Sequence, residues 1–422
     1  MSVFAVLGVI SLLIWLGIAL HPARPWDFQP VGDDEELPSV PPQWPSVTIL
    51  IPARNESESL PHTLPGLLLQ DYPGPFSVVV IDDRSQDGTA EIARKIAVDV
   101  QATARLTVIS GAPLPPGWVG KVWALEQGAT HCGIPSVEPC AKTAGELHVP
   151  AYSPQSAIRN PQYLLLTDAD IRHAPTSLRR LVAESERGHL ALNSRMARLR
   201  CLSAAEHLLI PPFVFFFNLL YPMRQVNDPR SAVAAAAGGC VLLATAALRR
   251  AGGFACIKDR IIDDVSLARA VKGKDTPIQL ALSRREVESL RVYESVEKIW
   301  VMVRRTAFTE LRYSWLRLAG TVLGMALMFL LPPLLTVWGV LWCLACIGGI
   351  LPGVSVSGLM ILVSGVSAWL LTAVVYRPAV RFFALPTVRT WTLPLAGLLY
   401  GAMTLDSALR HATGRRIGWR DH

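Results

Sequence analysis

The chain has 422 residues, with 40 Lys and Arg against 33 Asp and Glu, a formal net charge of +7, and 51% hydrophobic but only 17% charged residues. An ordinary soluble domain carries roughly 25% charged residues, so this composition excludes both a wholly soluble chain and a disordered one. Seven scattered cysteines, no Cys-x-x-Cys joined to His partners, and Pro and Gly without a period exclude a disulfide framework, a zinc knuckle and a collagenous repeat.

Val3 to Leu20 carries no charge and is long enough to cross about 30 Å of hydrocarbon as a helix. No basic residue precedes it and no small-x-small cleavage site follows, so residues 1–24 are expected to be a retained anchor. Arg24 behind it places the downstream segment in the cytoplasm. Residues 45–310 hold most of the charges and alternate strand-like with helix-like stretches. Val47 to Ile51 is an apolar run ended by Pro52, and Val78 to Ile81 is a second one, ended by Asp82-Asp83. The helix-length segment Ser57 to Gln70 lies between them, which fits a parallel βαβ crossover. Thr107 to Ile109 and Tyr163 to Leu166 continue the series, and such continuous runs predict parallel strands buried on both faces, hence an α/β fold.

Residues 133–161 read as an added loop containing Pro and Ser. Leu208 to Met223, LLIPPFVFFFNLLYPM, is a poor span because of Pro211, Pro212 and Pro222; it reads as an aromatic-rich helix at the bilayer surface or as a buried core helix. Residues 316–409 form a C-terminal membrane region. Leu318 to Tyr376 is free of charge and predicts two crossings, with breaks at Pro332-Pro333 and Leu351-Pro352-Gly353. Thr390 to Leu405, interrupted by Pro394, Gly397 and Gly401, is short for a span and fits a re-entrant or interfacial piece. Two crossings return the chain to the cytoplasm, where Arg377, Arg381, Arg389 and the basic tail 410–422 obey the positive-inside rule. The expectation is a multi-pass protein of the inner (cytoplasmic) membrane with its charged domain cytoplasmic.

In open parallel sheets ligands bind beyond the carboxyl ends of the strands. The first run is followed there by PARNE (52–56), the second by DDRSQDGT (82–89) and the fourth by Asp168-Ala169-Asp170. A Gly-x-Gly-x-x-Gly after the first strand and a Walker motif are both missing from the sequence, which removes the dinucleotide and P-loop readings. Asp168 and Asp170 share a face if that stretch is extended, and their oxygens suit Mg²⁺ or Mn²⁺ carrying substrate phosphates; capping aspartates are the plain alternative. Asp82 and Asp83 can accept from ribose hydroxyls or a base N–H, or else form an Asx-turn. Lys121, ahead of a helical stretch, can approach a phosphate or stay solvated. Asp263-Asp264 opens a helical pattern. The helix dipole favours ionised carboxylates there while each acid opposes the other, a workable setting for a general base or a simple cap.

Together PARNE at 52–56, VVVIDDRSQDGT at 78–89, GKVWALEQG at 120–128, LLLTDAD at 164–170, AAGGCVLLATAALRRAGGF at 236–254 and DDVSLARAV at 263–271 resemble the family-2 inverting glycosyltransferases of GT-A fold, over residues 45–275. With its apolar ends the chain looks most like the bacterial hopene-associated glycosyltransferases, relatives of ceramide glucosyltransferase. The resemblance implies that Pro52, Glu56, Asp82, Asp83, Lys121, Asp168 and Arg305 serve the donor and that Asp168 and Asp170 hold a divalent cation, Mg²⁺ or Mn²⁺. It makes Asp264 the base, with Asp263 in place of the usual Glu. The (Q/R)xxRW motif of processive synthases is incomplete around Trp300 to Thr306, where only arginine survives. The partners implied are a UDP-linked sugar donor, a lipid acceptor such as a hopanoid, and the membrane, with no nucleic acid. A polyprenyl phosphate acceptor, which would need no base, and a nucleotide-binding transporter or scaffold are the rival readings.

Overall fold

The apolar runs read at Val47 to Ile51, Val78 to Ile81, Thr107 to Ile109 and Tyr163 to Leu166 all become strands. The strands in chain order are β1 (Val47–Ala53), β2 (Phe76–Asp82), β3 (Leu106–Ser110), β4 (Tyr163–Thr167), β5 (Ile171–His173), β6 (Leu192–Met196), β7 (Cys240–Ala244), β8 (Ile278–Leu282) and β9 (Val287–Ser289). The computed structural model describes residues 3–28, 30, 41–136, 158–350 and 355–414. Most of the expected 133–161 loop, the Leu351-Pro352-Gly353 break and the tail arginines Arg415, Arg416 and Arg420 lie outside the described residues. The chain divides into two units: Gln29–Arg200 with Gln225–Val292, and Met1–Phe28 with Cys201–Arg224 and Tyr293–His422.

The first unit is built on a seven-stranded sheet of order β3-β2-β1-β4-β7-β6-β8. β3, β2, β1 and β4 are mutually parallel, β7 runs antiparallel to both β4 and β6, and β6 pairs parallel with β8. The sheet is α/β and mixed. Alternation along β1 sends Val47, Ile49 and Ile51 into one core with Leu64 and Leu67 of the Leu60–Leu68 helix and Ile96 of the Thr89–Asp99 helix. Leu50 and Ile81 face the opposite side, against Gly128 of the Gly120–His131 helix. Register aligns Ala53 with Asp82 and Thr167 with Cys240. Because β7 is antiparallel, its start, and not its end, lies beside the end of β4.

In the second unit, three helices are long and apolar enough to cross a membrane among the described residues: Val3–Leu20, Trp315–Ile347 and Val356–Phe382. The break expected at Pro332-Pro333 does not occur. The helix runs through it by widening into a π-turn at Ala326–Leu330, where the N–H of Leu331 bonds to the carbonyl of Ala326. That shift frees the carbonyl of Leu327, and Pro332 has no N–H for the carbonyl of Met328. The hydroxyl of Ser11 donates to the first at 2.7 Å and the indole of Trp15 to the second at 2.9 Å. Two buried polar side chains of the N-terminal helix thus satisfy backbone groups that an apolar surrounding could not.

The segment around Leu208 to Met223 forms a helix, Ala204–Leu220, closed at its start by a capping box between Ser203 and Glu206. It groups with the apolar helices although the sequence places it in the 45–310 region. Phe215 packs on Tyr376 and Phe216 on Phe329 and Tyr400, with ring centroids 5.1–5.3 Å apart. The last apolar stretch is a helix over Leu393–Ala412.

Candidate functional site

Two loops meet beyond β1 and β2. Asn55 and Arg84 adopt left-handed conformations. The backbone N–H groups of Asn55, Glu56 and Ser57 donate to Ser85, Thr89 and Asp87, each at 2.9 Å. Asp87 is held down to about 2: burial works against ionisation, but hydrogen bonds from Thr89 and Ser57 outweigh it. Asp82 accepts the N–H of Ser85 at 3.0 Å, so the turn reading of this motif is realised in its carboxylate. Asp83 is buried and faces two guanidinium groups, Arg54 at 3.7 Å and Arg84 at 3.5 Å. Glu56 is buried as well and accepts the hydroxyl of Ser59 at 2.7 Å.

A second cluster gathers around Lys121, in the first turn of the Gly120–His131 helix. Its Nζ lies 2.7 Å from Oδ1 of Asp168 and 3.5 Å from Oδ2 of Asp263. Burial alone would weaken the ammonium, but the carboxylates of Asp168 and Asp263 outweigh it and push Lys121 far above the ordinary lysine range. Asp264, in the first turn of the Asp263–Val271 helix, accepts the N–H of Gly238 at 2.8 Å and that of Val265 at 2.7 Å. Burial and the like charge of Asp263 push Asp264 up to about 7, against the pull of Lys121 and these N–H donors. One pocket is lined by Pro52, Lys121, Thr167, Gly238, Asp263 and Asp264, with an apolar side of Leu125, Val241, Phe254, Ile257 and Leu267.

Asp168 and Asp170 do not lie on an extended strand. β4 ends at Thr167, and Asp168 to Asp170 turn into β5, with the N–H of Ile171 on the carbonyl of Asp168 at 3.2 Å. The alternation argument therefore fails, and the two acids take different partners: Lys121 for Asp168, and Arg291 at 3.9 Å for Asp170. Asp170 is pushed up to about 6, first by burial and then by Asp168. A dication suits this donor set, because it would offset that repulsion through hard oxygen ligands. Among the described residues no group of three His, Cys, Asp or Glu forms a cage, so water and phosphate oxygens would complete the shell. Arg305 lies on the Val296–Glu310 helix of the apolar unit. On the same helix Trp300 and Arg304 donate to Asp406 of the Leu393–Ala412 helix, at 2.8 and 3.3 Å, so the arginine next to Arg305 serves to join two helices.

Several site residues escape the sequence reading. A Cβ on Gly238 would stand 3.2 Å from Nζ of Lys121 and 3.3 Å from Oδ2 of Asp264, so any side chain there would press on both groups just ahead of β7. The Gly-Gly pair ahead of an apolar run was the available signal. Thr167 donates to the carbonyl of Gly239 at 2.9 Å and meets Nε2 of His173 at 2.9 Å. Burial lowers His173 to about 4, leaving a neutral ring behind the acidic turn. Only the fold brings His173 to this place.

The family model for glycosyltransferase like family 2 matches residues 42–308. A 4,4'-diaponeurosporenoate glycosyltransferase of Staphylococcus aureus is 38% identical over 86 residues, 20% of this chain and 20% of that protein. The same enzyme from strain USA300 is 37% identical over 87 residues, again 20% of each. The chain thus aligns with about a fifth of the length of these curated relatives. A mannosyltransferase from Pyrobaculum calidifontis, solved with GDP-Man and Mn²⁺, superimposes with a TM-score of 0.50 at 17% identity, covering 98% of this chain and 100% of that one. The mixed sheet with its flanking apolar helices is therefore the GT-A fold. By the extent of the family match and the arrangement of its sheet, the chain belongs to glycosyltransferase family 2.

Proposed function

We propose that the protein is a membrane-bound inverting glycosyltransferase that moves a sugar from a nucleotide-sugar donor to a hydroxyl of a lipid. The carrying observation is the ion pairing of Lys121, which ties Asp168 of the β4 turn to Asp263 at the start of the Asp263–Val271 helix and lines one pocket with Asp263 and Asp264. Family membership supports the transfer chemistry, and the mannosyltransferase relative, solved with GDP-Man and Mn²⁺, supports a nucleotide sugar and a divalent cation. Three membrane-length helices, and relatives named for 4,4'-diaponeurosporenoate, support a lipid acceptor. A hopanoid is the acceptor and UDP the carrier that the sequence resemblance favours. The inner membrane, with the sheet unit cytoplasmic, is the location that charge bias favours.

In this reading Asp82 and Asp83, at the β2 end, receive the nucleoside, and Pro52 and Glu56 shape the loop beside it. Asp168 and Asp170 would hold Mg²⁺ or Mn²⁺, which when bound offsets charge developing on the departing diphosphate. Lys121 adds a compact cation to the same side. Asp264 takes the proton of the acceptor hydroxyl as its oxygen attacks the anomeric carbon opposite the leaving group, so the configuration inverts. Asp263 keeps Lys121 in place and raises the proton affinity of its neighbour.

The test is incubation of the purified full chain with labelled nucleotide sugars and a lipid extract, followed by mass analysis of the lipids. A sugar-bearing lipid is expected, and Asp264→Asn should cut its formation by about 10²–10⁴-fold, the usual range for a lost general base. Labelled lipid from no donor would overturn the reading; turnover by Asp264→Asn within a few-fold of wild type would remove the base assignment.

A further inference from the structure

One buried carboxylate near the pocket has no part in the chemistry above. Glu126 lies on the Gly120–His131 helix, one residue beyond the pocket-lining Leu125, and is only 7% exposed. A carboxylate taken from water is costly unless hydrogen-bonded. Glu126 accepts the N–H of Ser136 at 3.0 Å, the hydroxyl of Ser136 at 2.6 Å and that of Thr130 at 3.3 Å, together with the N–H of Phe254. The Ser136 oxygen in turn accepts the N–H of Ala255 at 3.1 Å.

These bonds fasten one end of the Phe254–Ile257 turn to the Lys121 helix. The other end is fastened too, because the N–H of Val119 donates to the carbonyl of Lys258 at 2.7 Å. Gly253 makes the close approach possible: its φ is +77°, and a Cβ there would stand 2.2 Å from the Ser136 oxygen and 2.6 Å from its Cα. Phe254 and Ile257 belong to the apolar side of the pocket that Asp264 lines. Leu267, on the Asp263–Val271 helix that carries Asp264, lines the same side.

We infer that Glu126 is a positioning residue for the transfer reaction: it fixes the Phe254–Ile257 turn as the dry side of the pocket against which Asp264 and the acceptor oxygen are aligned. This rests on the reading of Asp264 as the base. Nucleoside recognition, assigned to the β1 and β2 loops, is not held by this clamp. Loss of the clamp therefore slows the chemical step and leaves nucleotide affinity alone.

The experiment compares Glu126→Gln and Ser136→Ala with the wild-type full chain. Gln replaces one accepting oxygen by an N–H₂ in a site where two N–H groups and two hydroxyls point at the carboxylate, whereas Ser136→Ala removes one arm and keeps the carboxylate, which covers the case that the first variant does not fold. Deuterium uptake by the peptide spanning Gly252–Ile262 is expected to rise in both. The value of kcat should fall about tenfold, as for a misplaced reacting group, with UDP or GDP affinity within about threefold. Unchanged uptake would overturn the clamp whatever Asp264 does. Parallel loss of kcat, nucleotide affinity and thermal stability would reduce Glu126 to a folding role and overturn the inference. If Asp264→Asn transfers sugar at the wild-type rate, the reading beneath the inference fails independently of the uptake result.

Discussion

Asp264 shows how a residue type legible in sequence acquires a property that is not. The acid pair after an apolar dipeptide was readable as a base or a cap, but its environment comes from Leu125, Val241 and Phe254, which arrive from separate segments. With Asp264 near 7, the base form is populated above that pH and lost below it. The value of kcat/KM should rise with pH through about 7 and level off, falling about tenfold for each unit below. A flat profile between about pH 5 and 8 would contradict this, since an ordinary Asp ionises near 3.9. Linkage runs in the opposite sense for stability. The folded state binds this proton more tightly than the unfolded chain, so the contribution of Asp264 to stability is full below about pH 4 and lost as pH rises through 7. Asp264→Asn should therefore melt no lower than wild type at pH 8, and its loss of activity is then chemical. A lower melting temperature at that pH would count against the buried environment described.

At the scale of elements, β1, β2 and β4 were legible because parallel strands buried on both faces are unbroken apolar runs, whereas β3, read from the same kind of run, is an edge strand with only Leu106 buried. β6 was not legible, because Asn193, Ser194 and Arg195 interrupt the pattern and are nonetheless fully buried. Arg195 pairs with Glu184 and lies 3.8 Å from Glu286, so ion pairing replaces apolar burial in that strand. The acidic turn after β4 was legible in composition but not in shape. Its neighbour at the start of β7 depends on an antiparallel pairing that no local pattern announces. This pairing carries a prediction for Gly238→Ala. The added Cβ must displace the end of Lys121 or the carboxylate of Asp264, and Lys121 is flexible enough to move. Transfer should drop about tenfold, because misplacement near the reacting atoms is costly, while the melting temperature shifts by no more than a few degrees. Steady-state rates within twofold of wild type would show that the close approach at Gly238 does not matter for turnover.

Across the whole molecule, the sheet unit is not a continuous stretch of chain. It comprises Gln29–Arg200 and Gln225–Val292, while the intervening Cys201–Arg224 belongs to the apolar unit. The sequence read residues 45–310 as one region because charge density falls only beyond it, and because the prolines of Leu208 to Met223 argued against a span. The structure instead buries Phe215 and packs Phe216 on rings from the C-terminal helices, with the carbonyl of Leu209 accepting the hydroxyl of Tyr400 at 2.8 Å. A fragment of residues 29–292 would strip these partners away and expose a contiguous aromatic surface, which soluble proteins rarely tolerate. That fragment should aggregate without detergent. Replacing residues 201–224 by a flexible Gly/Ser linker should give a monomeric fragment, because the sheet core of β1, β2 and β4 draws on no residue of the deleted segment. Size-exclusion chromatography of the two fragments is the measurement. A soluble monomer from the unmodified fragment would mean that the aromatic helix can bury itself without the apolar helices, and equal aggregation of both would mean that the sheet unit cannot stand without them.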